Sequence, residues 1–245
     1  MSGTALAIDG LSLVRGGKEL YRDFHLEAEA GKVTCVIAPS GSGKTTLLDC
    51  VAGIPVEHAE VRGNVFFEGK TERPAVSFLF QEPRLIPSAD ILQNVMFPLV
   101  NVMDRERAEQ RARLFLDRVQ LSEKCTALPD ELSGGEKQRA SMARSFAYPS
   151  KLLLMDEPFQ SQDLRIKLRL IETLRQLLAS EKRTVLFVTH DVQEAVALSD
   201  RIVVMDGSPL RVVLDENHVE KEDELFVKRI SSLVSGGLRV SGSLH

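Results

Sequence analysis

A glycine-rich segment, residues 38–46, has the composition and the surroundings of a phosphate-binding loop. It reads Ala-Pro-Ser-Gly-Ser-Gly-Lys-Thr-Thr, follows an apolar run at 33–37, and precedes apolar residues that recur at helical spacing. Glycine lets consecutive backbone N–H groups converge on an anion, and the following helix presents the positive end of its dipole to it. The pattern predicts a strand, a phosphate loop and a helix, with Lys44 reaching the β- and γ-phosphates and Thr45 ligating Mg²⁺.

Ala38 occupies the first position of this loop, where glycine is usual. Alanine costs little there if its backbone keeps a negative φ, so we expect a working loop. The alternative, a Gly/Ser turn without a ligand, does not explain the flanking strand and helix. The candidate nucleotide-binding residues of the loop are Pro39, Ser40, Gly41, Ser42, Gly43, Lys44, Thr45 and Thr46.

Two adjacent carboxylates follow a second apolar strand, predicted at 151–156. Asp156 ends this strand at the carboxyl edge of the sheet, where ligands bind in open α/β sheets. Beside a phosphate loop, Asp156 would hold Mg²⁺ through water, and Glu157 would polarise the attacking water as a general base. The alternative is an acidic pair that merely opens a turn before Pro158.

A second candidate anion site lies at Ser133-Gly134-Gly135. Serine is a preferred helix N-cap, and the two glycines leave the first N–H groups of the helix uncovered. One nucleotide rarely requires two such sites from one polypeptide, which indicates that each site faces a nucleotide held by another copy. An ordinary capped helix is the alternative, because Ser-Gly-Gly alone does not exclude it.

The composition is typical of one sizeable globular domain, with 245 residues, 43% hydrophobic and 27% charged. A net charge of −4 provides no overall basic surface for nucleic acid. No run approaches the ~20 apolar residues that span a bilayer, and we expect no signal peptide within residues 1–13. The three scattered cysteines indicate reduced thiols of a cytosolic protein.

Strands that alternate with helices predict a mainly parallel α/β sheet. Two antiparallel strands are expected first, at 5–13 and 21–29, and residues 82–132 indicate a helical insertion that contains a charged helix at 105–119. The tail is predicted to form one short helix and then to be disordered from Ser235. Other strands are predicted at 61–67, 76–80, 184–188, 201–205 and 209–214, and other helices from 43 to about 53, from 133 to about 147, at 163–182 and at 191–199.

Five elements follow one another along the chain in this order: Lys44-Thr45, Gln81, Ser133-Gly134-Gly135, Asp156-Glu157 and His190. Together they resemble the nucleotide-binding subunit of an ATP-binding cassette (ABC) transporter, and the resemblance covers roughly residues 5–215. The resemblance implies an α/β P-loop NTPase cassette with a RecA-like core sheet, an N-terminal antiparallel β subdomain and a helical subdomain. These would form an ABC ATPase domain at 1–220, with the helical subdomain at about 82–150. Residues 221–245 would be a short, partly disordered tail.

The resemblance also implies roles for individual residues. Residues 38–46 match Walker A, while Asp156 and Glu157 match Walker B and the catalytic base. Gln81 corresponds to the Q-loop glutamine, which touches Mg²⁺ and the attacking water, and His190 to the switch histidine near the γ-phosphate. The ligands of Mg²⁺ would be Thr45, Gln81 and Asp156.

Residues 132–136 match the signature motif, which meets ATP held by another copy. Its members here are Ser133, Gly134, Gly135 and Glu136, the last at a position where the family usually has glutamine. At the D-loop, residues 160–163, only Asp163 is a clean match. Arg15 stands where the family usually places an aromatic residue that stacks on adenine. A guanidinium is planar and can stack on a base, so we expect Arg15 to do so with weaker base selectivity; the alternative is a solvated turn arginine.

The resemblance implies an ATPase that uses ATP and Mg²⁺ and powers transport. Two copies, most simply identical, would sandwich two ATP molecules and drive transmembrane permease subunits, as a peripheral protein on the cytoplasmic face of the inner membrane. An extracytoplasmic solute-binding protein would complete the system, and no nucleic acid is expected. Residues 80–87, with Asn94-Val95, are similar to importers of the nitrate/sulfonate/taurine type, which favours a small anion or a thiamine precursor as the solute.

Two other functions stay open at this point. An exporter or lipoprotein-release ATPase would share every catalytic residue and differ only in its membrane partner. A soluble ABC-type ATPase not coupled to transport is expected to have a long coiled coil or two cassettes, and the sequence has neither. A nucleotide kinase would explain residues 38–46 but neither residues 133–135 nor the Asp156-Glu157 pair.

Overall fold

The computed structural model describes residues 5–160, 162–217, 219 and 224–236. The chain divides into two compact units. The smaller unit comprises residues 75–183, and the larger one combines residues 5–74 with residues 184–236.

An antiparallel sheet whose first strand lies in the middle begins the larger unit. Its strands are β1 (Leu6–Arg15), β2 (Lys18–Ala28) and β4 (Ala59–Phe67). Buried and more exposed residues alternate along most of β1 and β2, as a sheet with one covered face requires, and the alternation shifts where the pairing register shifts after Ile8. The predicted antiparallel pair is therefore confirmed, and β1 continues two residues beyond its expected end.

Four more strands of the larger unit are ordered β7-β3-β8-β9: β3 (Val33–Ile37), β7 (Thr184–Thr189), β8 (Arg201–Asp206) and β9 (Arg211–Asn217). Strand β3 pairs in parallel with β7 and β8, and β9 runs antiparallel to β8. All residues of β3 and β7 are buried, because parallel strands are covered on both faces. The predicted parallel α/β sheet is confirmed.

Three helices belong to this unit: α1 (Lys44–Ala52), α6 (Val192–Leu198) and α7 (Glu224–Gly236). Helix α1 stops at Gly53, whose left-handed backbone donates to carbonyls of the last turn. In α7 Ile230 is fully buried, so the helix is anchored by an apolar face. The expected disorder from Ser235 is wrong for Ser235 and Gly236, which lie in α7; residues 237–245 lie outside the described chain.

The smaller unit contains the parallel strands β5 (Val76–Leu79) and β6 (Leu152–Asp156). Its helices are α2 (Ile91–Met96), α3 (Arg105–Arg118), α4 (Gly134–Ala147) and α5 (Leu164–Ser180), with short 3-10 turns at Leu99–Asn101, Ser122–Lys124 and Pro129–Glu131. The apolar stripe predicted for α3 is confirmed. All of its members are fully buried: Ala108, Ala112, Phe115, Leu116 and Val119.

Helix α4 is fixed at its C-terminal end by two arginines, the buried Arg183 and the half-buried Arg111. The last carbonyls of a helix have no partner within the helix, so other groups must satisfy them. Arg183, only 5% exposed, donates from Nη1 to Ser145 O (3.2 Å) and from Nη2 to Phe146 O (2.6 Å). Arg111 Nε donates to Ala147 O at 2.5 Å. Three successive carbonyls of α4 are thus satisfied by two side chains.

The smaller unit is wider than the helical subdomain expected at about 82–150, because it also contains β5, β6 and α5. The boundaries expected for the helical subdomain, about 82–150, and for the ATPase domain, 1–220, stay predictions. Every helix in the described parts of the chain is too short or too polar to cross a lipid bilayer.

Candidate functional site

The segment after β3 has the geometry that a phosphate loop requires. Gly41 and Gly43 have φ values of 71° and 106°, in the left-handed region that favours glycine. A Cβ atom on Gly43 would also lie 3.0 Å from Leu20 Cδ1. The loop opens with a turn in which Ser42 N donates to Pro39 O at 3.3 Å. Glycine at position 43 is thus required by its backbone conformation, and a Cβ atom there would also crowd Leu20.

Ala38 fits the first position of the loop as expected. Its φ is not in the left-handed region, and its N–H donates to Thr189 O at 3.3 Å. The side chain is 1% exposed. A methyl group therefore replaces the usual glycine without backbone strain.

Lys44 is held inside the loop by main-chain carbonyls. Its Nζ lies 2.9 Å from Ala38 O and 2.9 Å from Pro39 O, and the residue is 4% exposed. The ammonium thus lies beside the backbone segment whose N–H groups are predicted to bind phosphates. Thr45 is exposed beside it, whereas Thr46 is buried in α1.

Arg15 reaches the start of α1 from the turn between β1 and β2. Its Nη1 donates to Thr46 Oγ1 at 3.4 Å, although most of the residue is exposed. The structure thus brings together two candidates that are 31 positions apart. This position is compatible with contact to a base or ribose bound beside the loop.

His190 lies at the same end of the sheet as the phosphate loop. Ile37 and Thr189 are partners in the parallel pairing of β3 with β7, so the residues that follow both strands emerge together. His190 is exposed there. Two contacts hold the turn at His190: Thr189 Oγ1 donates to the buried Glu194 at 2.7 Å, and Asp191 caps α6. Neither contact was predicted from the sequence.

The smaller unit brings together Gln81 and the two carboxylates. Leu79 of β5 is paired with Met155 of β6 in a parallel register, so Gln81, Asp156 and Glu157 follow at one edge. Gln81 is exposed, whereas Asp156 is 5% and Glu157 8% exposed. Glu157 also has a positive φ of 41°, a conformation that a non-glycine residue adopts only when its surroundings enforce it.

Ser133, Gly134 and Gly135 form the N-terminus of α4, as predicted. Ser133 is the N-cap, and Ser133 and Gly134 are exposed to solvent. A Cβ atom on Gly135 would lie 2.9 Å from Ile166 Cγ2 of α5, whereas one on Gly134 would meet nothing closer than 3.9 Å. Packing therefore requires glycine at 135, while position 134 has space on its outer side.

Glu136 completes a capping box with Ser133. Its Oε2 accepts hydrogen bonds from Ser133 N at 2.8 Å and from Ser133 Oγ at 2.7 Å. These bonds, the backbone one first, lower the pKa of the Glu136 carboxyl below its ordinary value. The departure from the usual glutamine therefore places a negative charge against the Ser133 hydroxyl.

The candidate Mg²⁺ ligands are a hydroxyl (Thr45), an amide oxygen (Gln81) and a carboxylate (Asp156). All three supply oxygen atoms, the donors that Mg²⁺ prefers. The donor set therefore fits this ion. At the D-loop, Ser161 lies outside the described residues, and Asp163 caps α5 by accepting from Ile166 N at 3.0 Å.

A cavity of about 1160 Å³ lies at the opposite end of β3, lined in part by Lys32, Thr34 and Arg201. Two of its cations are already in ion pairs, Lys32 with Glu29 at 2.7 Å and Arg201 with Asp215 at 2.6 Å. Its size alone therefore does not make it a phosphate site, and the loop at 38–46 is the better candidate.

Comparison with known proteins agrees with these features. The ABC transporter family model matches residues 21–160. The chain is 38% identical, over 85% of its length and 82% of the relative, to an aliphatic sulfonates import ATP-binding protein of Xanthomonas axonopodis pv. citri. It is 34% identical, over 98% of its length and 71% of the relative, to the sulfate/thiosulfate import ATP-binding protein of Yersinia pseudotuberculosis.

A solved structure supports the fold. The chain resembles cbiO1 from Clostridium perfringens, part of the ABC transporter complex cbiONQ, with a TM-score of 0.79. The two are 24% identical, and the match covers 94% of this chain and 95% of that one. The predicted fold class is thereby confirmed.

Proposed function

This chain belongs to the ABC transporter family and is an ATP-binding, ATP-hydrolysing subunit, and from this premise we propose that it powers the import of an aliphatic sulfonate or a related small oxyanion. The observation that carries the proposal is the likeness to an aliphatic sulfonates import ATP-binding protein over 82% of that relative. The sulfate/thiosulfate relative supports the same solute class. Both relatives are import proteins, which argues against the export alternative.

The proposed partners are a second copy, transmembrane permease subunits and an extracytoplasmic solute-binding protein. The chain would act peripherally at the cytoplasmic face of the inner membrane. The family resemblance supports these partners, since the solute itself would be bound by other polypeptides. A homodimer is the simplest arrangement because one chain carries both the phosphate loop and Ser133-Gly134-Gly135.

The proposed roles follow the chemistry of each side chain. Lys44 and the loop N–H groups bind the phosphates of ATP, and Glu157 orients and deprotonates the attacking water. Gln81 and His190 contact the water and the γ-phosphate. When bound, Mg²⁺ would neutralise phosphate charge, held by Thr45, Gln81 and Asp156.

The N-terminus of α4 is proposed to bind the nucleotide of the second copy. The N–H groups of this exposed helix start suit an anionic γ-phosphate, and the Ser133 hydroxyl would join them by turning its proton from Glu136 to the phosphate. ATP then favours the closed dimer because its γ-phosphate bridges both copies, and hydrolysis removes that bridge.

Affinity purification from detergent-solubilised membranes of the native host tests this function. We expect co-purification of a small multi-helix permease, and stimulation of ATP hydrolysis by a solute-binding protein loaded with a sulfonate. A permease with a large extracytoplasmic domain would instead support export or lipoprotein release. An ATPase that is active alone, with no membrane partner, would support the soluble alternative.

Replacement of Arg15 by alanine tests its proposed contact with the base. Loss of the guanidinium is expected to weaken ATP binding about two- to thirtyfold, from the ~0.5–2 kcal/mol of a stacking or cation–π contact. The weakening should be of similar size for ATP and GTP, because a planar guanidinium stacks on either purine. Equilibrium binding of both nucleotides measures it, and equal affinities in wild type and variant would refute the contact.

Replacement of Glu136 by glutamine tests the effect of the charge beside Ser133. Glutamine can still accept the Ser133 N–H bond, but it removes a carboxylate that would face the γ-phosphate of the second copy's ATP. We expect an ATP-dependent dimer that forms at severalfold lower ATP concentration, with a nearly unchanged melting temperature. Light scattering against ATP concentration measures the dimer, and Glu131→Gln, a capping residue of the preceding 3-10 turn, is the control.

A further inference from the structure

The loop that follows Gln81 is held by an arginine of α4. Arg144, in the third turn of α4, donates from Nη2 to Pro83 O at 2.7 Å and from Nη1 to Arg84 O at 2.8 Å. One planar guanidinium thus holds two consecutive carbonyls of this loop. Such a two-point contact fixes orientation as well as distance.

The loop is stiff around these two carbonyls. Arg84 has a positive φ of 45°, and its guanidinium lies 4.1 Å from the ring centre of Phe80, which is stacked on Phe78. Farther along, the fully buried Asn94 bonds both backbone groups of Ile86, at 2.7 Å and 3.1 Å. The loop therefore has little freedom to deform and moves with the helices that hold it.

The loop that follows Glu157 is held by a glutamine of α4. Gln138, one turn into α4 and 1% exposed, donates from Nε2 to Pro158 O at 2.6 Å. Glu157 itself has a left-handed backbone, and Gln160 N closes the turn on Glu157 O at 3.1 Å. A buried side chain of α4 thus fixes the peptide next to the proposed general base.

Helix α4 joins these contacts to its own N-terminus. Ser133 and Arg144 are about 16 Å apart along a helix that rises 1.5 Å per residue. Most residues between them are buried, so the helix is packed on several sides and transmits displacement as a rigid body. A shift imposed at Ser133 must therefore reach both loops.

We propose that Gln138 and Arg144 are positioning residues that couple the two nucleotide sites of the dimer. When the N-terminus of α4 takes up the nucleotide of a second copy, Gln138 adjusts the loop that carries Glu157, and Arg144 adjusts the loop that follows Gln81. Nucleotide bound in one site thereby aligns the catalytic groups of the other. The inference rests on the function proposed above, in which α4 meets ATP in trans.

Steady-state hydrolysis by the purified full-length chain provides the first test. Arg144→Met and Gln138→Leu remove the donors and keep much of the side-chain volume. Both variants are expected to keep the affinity for MgATP within about threefold while kcat falls about tenfold to a hundredfold, the cost of a misplaced catalytic group. The Hill coefficient for ATP is expected to fall toward that of independent sites.

Arg111→Met is the matched control. Arg111 also donates to a carbonyl at α4, that of Ala147, but it holds no loop of the proposed site. It should leave kcat and the Hill coefficient unchanged. If Arg144→Met lowers the melting temperature, Arg144→Lys replaces it, since lysine keeps the charge but not the paired donors; an intermediate kcat is then expected.

Mixed dimers with two affinity tags separate positioning from a merely structural role. One dimer carries Arg144→Met in one copy and Glu157→Gln in the other; the second dimer carries both changes in the same copy. In the first dimer, the one site that can hydrolyse ATP has a Gln81 loop without its Arg144 contact. In the second dimer, the one site that can hydrolyse ATP keeps this contact. In single-turnover hydrolysis the first is expected to be about tenfold slower.

Equal rates in the two mixed dimers, or a slower second dimer, would overturn the inference. So would homodimeric variants whose kcat and Hill coefficient match those of Arg111→Met. If a dimer with one Glu157→Gln copy does not hydrolyse ATP, the mixed dimers give no rates to compare, and the kcat and Hill coefficient of the homodimeric variants test the inference. If wild type itself neither binds ATP nor dimerises, the proposed function fails instead.

Discussion

Replacement of Glu157 by glutamine is expected to reduce ATP hydrolysis by about 10²- to 10⁴-fold, the usual contribution of a general base. Glutamine has nearly the same shape but cannot accept the proton of the attacking water. Glu157 is 8% exposed and stands beside Asp156 at the carboxyl edge of β6, so its position suits this role. ATP binding should persist, because the phosphate loop is unchanged.

The persistent ATP should hold the dimer closed in this variant, since hydrolysis no longer removes the γ-phosphate. A phosphate-release assay and size-exclusion chromatography with MgATP measure the two effects. Glu172→Gln is the control, because Glu172 lies on α5 in an exposed ion pair with Arg175. Hydrolysis at the wild-type rate in Glu157→Gln would refute the assignment.

Replacement of Arg183 by methionine is expected to lower the free energy of unfolding by about 2–4 kcal/mol, because two buried helix-end carbonyls lose their donors. Arg183 also donates to the hydroxyls of Ser77 and Ser150, which hydrogen-bond each other. Burial lowers its pKa to about 10, so the group is still a cation at neutral pH. The substitution therefore removes a charged donor from the interior.

Urea denaturation measures the change in stability. Arg175→Met is the control, since Arg175 is exposed on α5 and its ion pair should contribute little. A stability loss in Arg183→Met no larger than in the control would show that water satisfies the carbonyls of Ser145 and Phe146 instead.

The sequence predicted the parts of the fold that have a local signal. The phosphate loop, the strand before Asp156 and the apolar stripe of α3 depend on residues close together in the chain, whose spacing reflects helix or strand period. The cap at Ser133 was visible for the same reason.

The contacts that hold the site were not predictable in this way. Gln138, Arg144 and Arg183 each donate to a carbonyl of another segment, and a carbonyl has the same chemistry at every position. Such a bond depends on tertiary packing and leaves no period in the sequence. The short helix of the tail was predicted from its apolar spacing, but its last two residues, Ser235 and Gly236, were expected to be disordered because they begin the Ser/Gly-rich end of the sequence.

The close fit of Gly135 against Ile166 affects how related sequences should be interpreted. A copy that had lost nucleotide binding would still favour glycine at this position, since a Cβ atom there would lie 2.9 Å from Ile166 Cγ2 and force the Ile166 side chain or α5 to shift. Glycine at position 135 therefore indicates the fold and gives no information about ATPase activity. Position 134 has room for a side chain, so substitution there distinguishes a degenerate site from a working one.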